Sequence, residues 1–193
     1  SEFISEGVAT GDVNHDGRLD IIAGEYWFAA PDWKRYQIAP AKQYNPGKDY
    51  SNSFLNFSLD VNNDGWIDLI VVGYPGTPGL WYENPKNKNG FWKKHEVLNS
   101  VGIGNESPIF VDIDGDGRAD LLCADGNTKQ IVWLSASLNK GDTVWTRYSI
   151  SAITEQGTDR YSHGLGFGDS NTDGRGDGRI KWGWGKVPRE GTH

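Results

Sequence analysis

"GDVNHDGRLDIIAG" occupies residues 11–24, and its oxygen-bearing side chains fall at fixed steps: Asp12, Asn14, Asp16 and Asp20, with Gly17 after the third. The same order returns in "LDVNNDGWIDLIVVG" around Asp60, "VDIDGDGRADLLCAD" around Asp112 and "GDSNTDGRGDGRIKWG" around Asp169. The lead aspartates stand 48, 52 and 57 residues apart. Four copies at a period near fifty define a repeat architecture, in which each unit buries its apolar face only against its neighbours.

Two further signals keep the same beat. "DWKRYQI" (32–38), "FWKKHEVL" (91–98) and "VWTRYSI" (144–150) each follow a Trp with period-two alternation, the mark of a half-buried strand. "GEYWF" (24–28), "GLWYEN" (79–84) and "QIVWLS" (130–135) supply a second, aromatic-rich strand per unit. An apolar strand precedes each acidic loop and another follows it, as in "DIIAG", "DLIVVG" and "DLLCA". Four antiparallel strands per fifty residues make the blade of a β-propeller. The expectation is an all-β chain of about three and a half to four blades, one segment over 1–193, with units near 5–52, 53–104, 105–161 and 162–193.

Composition agrees. Nine Trp, eight Tyr and seven Phe in 193 residues supply a sizeable core, and 26 Gly with no Met favour short strands and tight turns. A net charge of -7 excludes a nucleic-acid binder, which needs a basic face to neutralise phosphates. The one cysteine, Cys123, sits in the apolar run "ADLLCAD" and is expected to be a buried thiol rather than a redox centre. No run approaches the length of a membrane span, and "SEFISEG" lacks the basic and apolar regions of a leader. The expected location is secreted, periplasmic or extracellular.

The spacing Asp-x-Asn/Asp-x-Asp-Gly-x-x-Asp sets oxygen ligands at positions 1, 3, 5 and 9 and leaves the carbonyl of position 7 free. A calcium ion takes six to eight such oxygens, and glycine at position 6 permits the sharp turn around it. An EF-hand would place a bidentate acid at position 12, where this chain has Ala23, Val71, Cys123 and Ile180. Thirteen of the 26 acidic residues lie in the four loops, so without metal their carboxylates repel one another and stability is expected to depend on calcium.

These loops resemble the FG-GAP/VCBS repeats of integrin α-subunit propellers and of many secreted bacterial proteins. The resemblance implies a loop that joins the first two strands of a blade and binds Ca²⁺, up to four ions here. Its implied ligands are Asp12, Asn14, Asp16, Arg18 by its carbonyl, and Asp20. In the second loop they are Asp60, Asn62, Asp64, Trp66 and Asp68, in the third Asp112, Asp114, Asp116, Arg118 and Asp120, and in the fourth Asp169, Asn171, Asp173, Arg175 and Asp177.

Eleven residues before Asp12 and twenty-four after Asp169 are too few to close a six- to eight-bladed ring. The last unit is expected to lack its outer two strands and an apolar second strand. The chain is therefore read as part of a larger propeller or as a homo-oligomer that covers its own open edges.

Six residues before each lead aspartate stand Glu6, Phe54, Glu106 and His163, near the start of each innermost strand and hence at the channel mouth. Glu6, Glu106 and His163 are candidates for proton transfer or for a second divalent metal. "NESPIFVDIDGDG" and "HGLGFGDSNTDG" also resemble the propeller of aldos-2-ulose dehydratase, which implies metal-assisted lyase chemistry on sugars. Arg175-Gly176-Asp177 spells an adhesion tripeptide, but Asp177 is expected to turn inward. Trp66 and Trp81 are expected to be exposed enough to stack on sugar rings. Two functions follow: a calcium-binding module for carbohydrate or a scaffold, and alternatively a metal-dependent sugar lyase, dehydratase or hydrolase.

Overall fold

Each acidic loop is the bend of a β-hairpin, and each hairpin opens a sheet. The computed structural model describes residues 3–170, 172, 176–180 and 183–186. Blade 1 is β1 (Ala9–Gly11), β2 (Asp20–Ala23), β3 (Tyr26–Ala29) and β4 (Lys34–Gln37), hydrogen-bonded in that order. Blade 2 repeats the plan with β5 (Leu55–Leu59), β6 (Asp68–Val72), β7 (Leu80–Glu83) and β8 (Lys93–Glu96). Blade 3 does so with β9 (Ile109–Val111), β10 (Asp120–Asp125), β11 (Gln130–Ala136) and β12 (Trp145–Ser149). All pairings are antiparallel, and the ninth loop residue begins every second strand: Asp20 faces Gly11, Asp68 faces Leu59 and Asp120 faces Val111.

The fourth sheet corrects an expectation. It has three strands, β13 (Gly166–Gly168), β14 (Asp177–Ile180) and β15 (Gly183–Lys186), so the unit keeps a second strand and one of its outer two. Ladder hydrogen bonds are made by backbone, which is why glycine-rich "DGRI" pairs with both neighbours without an apolar run. No strand pairing joins this sheet to blade 1 among the described residues, and the blades do not close into a ring.

Inner strands of successive blades lie side by side. Gly7 N–H donates to Ser53 O at 3.1 Å, Ser58 Oγ donates to Thr10 O at 2.7 Å, and Phe57 stacks on Phe110 at 4.8 Å. Only glycine fits at position 7, because a Cβ there would lie 2.7 Å from Leu55 Cα.

Strand alternation then sorts the core between blade interfaces. On β7, Trp81 faces the cluster shared with blade 3, alongside Val101, Ile103, Leu121 and Leu134. Leu80 and Tyr82 face the smaller cluster shared with blade 1, alongside Ile22, Ile38, Val71 and Trp92. Trp81 is fully buried and stacks on His95 at 4.1 Å, so the expectation that it meets sugars is wrong: period two told that it has a face, not that both faces are covered. Trp66 is half-buried and stacks on His15 of the preceding loop at 3.8 Å. Cys123 is fully buried, and burial pushes its thiol far above the ordinary range.

Candidate functional site

The acidic loops are built by their own side chains. In the first, Asp12 accepts the N–H groups of Asp16 and Gly17, Asn14 accepts that of Asp16, and Asp16 accepts that of Arg18, all at 2.9–3.0 Å. The second loop repeats the set with Asp60, Asn62 and Asp64. In the third, one carboxylate oxygen each from Asp112, Asp114 and Asp116 lies within 4.8 Å of the others. Hard oxygens at this density suit a calcium ion, so the residues fit the group that the spacing implies. Gly17, Gly65 and Gly117 all have positive φ (82°, 92° and 90°), the left-handed turn that position 6 requires.

Position nine is set apart from the rest. Asp20 and Asp68 are fully buried, and each carboxylate spans two backbone donors: Val13 and Ala30 N–H for Asp20, Val61 and Asn84 N–H for Asp68. Asp120 accepts from Ile113 N–H at 3.1 Å, and Asp177 from Ser170 N–H at 3.0 Å. Burial, reinforced by the neighbouring loop carboxylates, raises Asp68 and Asp120 to about 7. Sequence spacing marks these aspartates as ligands; the hydrogen bonds add that they tie the loop to the blade. Asp177 turns inward, as expected. Asp169 is exposed, while Asn171, Asp173 and Arg175 lie outside the described residues.

At the opposite end of the strands, the three candidate mouth residues separate. Glu106 and His163 meet across blades 3 and 4, with His163 Nε2 3.2 Å from Glu106 Oε2. Asn105 Nδ2 and Ser107 Oγ beside Glu106 are buried and have no hydrogen-bond partner among the described residues. Glu6 does not join them. Ser51 of the next blade's approach donates both its N–H and its hydroxyl to the Glu6 carboxylate, which fastens blade 1 to blade 2. No grouping of Glu6, Glu106 and His163 within 4.8 Å exists.

Between blades 1 and 2 a cleft of about 670 Å³ opens, a volume suited to a small ligand. Tyr74, Tyr82, Trp92, Val71 and Leu80 wall it; Glu25, Lys42, Lys94 and Glu96 add charge. Glu25 Oε1 accepts the Tyr44 hydroxyl at 3.4 Å, but its Oε2 is buried without a partner among the described residues. Burial raises the Glu25 carboxyl above its usual range, and it raises Tyr82 likewise, with the Glu25 charge adding to the second. Sequence reading missed this site because its walls come from two blades and the linker between them.

A family model for the FG-GAP-like repeat matches residues 60–123. Those residues carry an FG-GAP-like repeat. The repeat begins at the lead aspartate of the second loop and runs through the third loop into β10. No curated protein matches the chain. Among solved structures, one is an Agrocybe aegerita lectin described as specifically recognising non-reducing terminal N-acetylglucosamine, similar at a TM-score of 0.56 and 19% identity. The match covers 88% of this chain and 44% of the lectin's, so this chain spans under half that length. At this identity the likeness concerns fold alone.

Proposed function

We propose that the chain is part of a secreted, calcium-stabilised β-propeller that binds carbohydrate in the cleft between its first two blades. The cleft carries this reading. Tyr74 and Tyr82 offer accessible ring faces to sugar rings, and Glu25, Lys94 and Glu96 line the cleft as partners for sugar hydroxyls. The fold likeness to an N-acetylglucosamine-recognising lectin supports the ligand class. Calcium belongs to the same reading: it would be held by the four loops, and it relieves repulsion among carboxylates such as Asp112, Asp114 and Asp116. The remaining blades come from a longer chain or from further copies of this one. Titration calorimetry with N-acetylglucosamine and its oligomers tests the proposal. Saturable binding that Tyr82→Ala and Glu25→Ala abolish supports it; no heat with any sugar, neutral or acidic, at millimolar concentration ends it.

One observation favours a second reading, a metal-dependent lyase, dehydratase or hydrolase. The Glu106–His163 pair, flanked by unpartnered Asn105 and Ser107 atoms, is an acid–base couple beside free hydrogen-bonding capacity. Sugar turnover that is lost in both Glu106→Gln and His163→Ala would move the function from the cleft to the mouth.

A further inference from the structure

A largely exposed aromatic cluster continues outward from the cleft. Tyr50, Phe54, Tyr74 and Tyr161 follow one another with ring centroids 5.3–6.3 Å apart. Tyr50, Tyr74 and Tyr161 remain 65%, 40% and 43% exposed, and the Tyr74 and Tyr161 hydroxyls lie 2.9 Å apart. Grouped exposed aromatics of this kind mark a contact surface rather than a stray apolar residue.

The cluster has a cation at its centre. Arg160 Cζ lies 5.1 Å from the ring centroids of both Tyr74 and Tyr161. The guanidinium is exposed and has no carboxylate within ion-pair distance among the described residues. Glu106, hydrogen-bonded through its N–H to Ser162 O, is already paired with His163. Space for Arg160 is reserved by Gly76, where a Cβ would fall 3.2 Å from Arg160 Nε. Tyr161 is held at φ 67°, an unfavourable conformation for a bulky residue, and its N–H is fixed to Gly104 O at 2.8 Å. The backbone thus accepts strain where it presents this ring.

We infer that Tyr74, Tyr161 and Arg160 form a second subsite that selects sugars bearing a carboxylate, with ring faces stacking on the tyrosines and the carboxylate taken by the guanidinium fork. The inference rests on the carbohydrate reading above, and Tyr74 links the two sites because it also lines the cleft. Arginine suits the task because its planar donors match a carboxylate bidentately and its face stacks on aromatic rings.

The test is calorimetry of the 193-residue chain with two probes, an α-1,4-linked galacturonate trimer and the uncharged galactose trimer. The acidic trimer is expected to bind at least ten times more tightly, with the difference shrinking in high salt. Arg160→Gln should remove that difference without moving the thermal midpoint, and Arg160→Lys should restore only part of it. Equal affinity for the two trimers, or a preference that survives Arg160→Gln, overturns the acidic subsite while leaving the carbohydrate reading intact. If neither trimer binds and N-acetylglucosamine oligomers also fail, both readings fall. An acidic peptide that competes equally well with the galacturonate trimer would also overturn the assignment to sugars.

Discussion

The two faces of strand β7 meet opposite fates. Trp81 points into the interface with blade 3, where Val97, Val101 and Ile103 fill the space beside it. Leu80 and Tyr82, its neighbours in sequence, point toward blade 1 and border an open cleft. The difference lies in the linkers. After β8 the chain reads "VLNSVGIG", and Ile103 bridges Thr77 on one side and Asp125 on the other. Backbone bonds hold it there: Ile103 N–H to Thr77 O at 3.0 Å and Gly104 N–H to Ala124 O at 2.8 Å. After β4 the chain reads "IAPAKQYNPGKDYSNS", which has no aliphatic plug beyond Ala41 and stays largely at the surface. Both connections bury a β-branched residue, Ile38 and Ile103, but the one that also bridges strands of two blades at its far end seals them, and the one that continues along the surface leaves a cleft.

The largest expected effect falls on the sealed side. Trp81→Ala should cost about 3–5 kcal/mol, because a fully buried indole leaves a cavity that its neighbours cannot fill. Urea denaturation measures it, and a loss below about 1 kcal/mol would mean that this interface is not the tight one. Ile103→Ala should follow at about 3 kcal/mol, read from the same curves, with blade 2 loosening from blade 3 in hydrogen exchange at Thr77 and Asp125. On the open side, Tyr82→Ala should cost only about 1 kcal/mol, since its ring already borders the cleft. If Tyr82→Ala matched Trp81→Ala, the contrast between the two faces would disappear.

The smallest effect is one of pH. Burial raises the Glu25 carboxyl, so the folded chain holds this proton more tightly than the unfolded one. Stability from this group is therefore complete below its ordinary pKa of 4.5 and declines as pH rises through the higher folded value. Glu25→Gln should flatten that part of the stability–pH curve and, on the proposed carbohydrate reading, weaken sugar binding in the cleft. An unchanged slope in the variant would show that the cleft does not strain this carboxyl.

The blades were legible in the sequence because their signals are local. Asp-x-Asn-x-Asp-Gly marks a turn by its own side-chain bonds, and the alternating aromatic runs lie within a residue or two of β3, β4, β7, β8, β11 and β12. What escaped was whatever two blades make together. Nothing near Glu6 in the chain announces Ser51 as its partner, so a candidate acid turned out to be a fastening. The meeting of Glu106 with His163 was foreseen only as a shared position in the repeat. Arg160 and Tyr74, 86 positions apart, have no common pattern. Trp81 and Tyr82 alternate as expected, yet the sequence could not say which of the two neighbouring blades would come close enough to bury its side.

The acidic turns also lean forward along the chain. Asn84 and Asn87 of blade 2 donate to the Val13 and Asn14 carbonyls of the first turn, and Arg118 of blade 3 donates to the Asp60 and Val61 carbonyls of the second. The first and second turns are thus finished by the blade that follows. As the polypeptide leaves the ribosome, a turn waits roughly one unit of translation before its last hydrogen bonds arrive, so maturation proceeds from the amino end in steps of a whole blade.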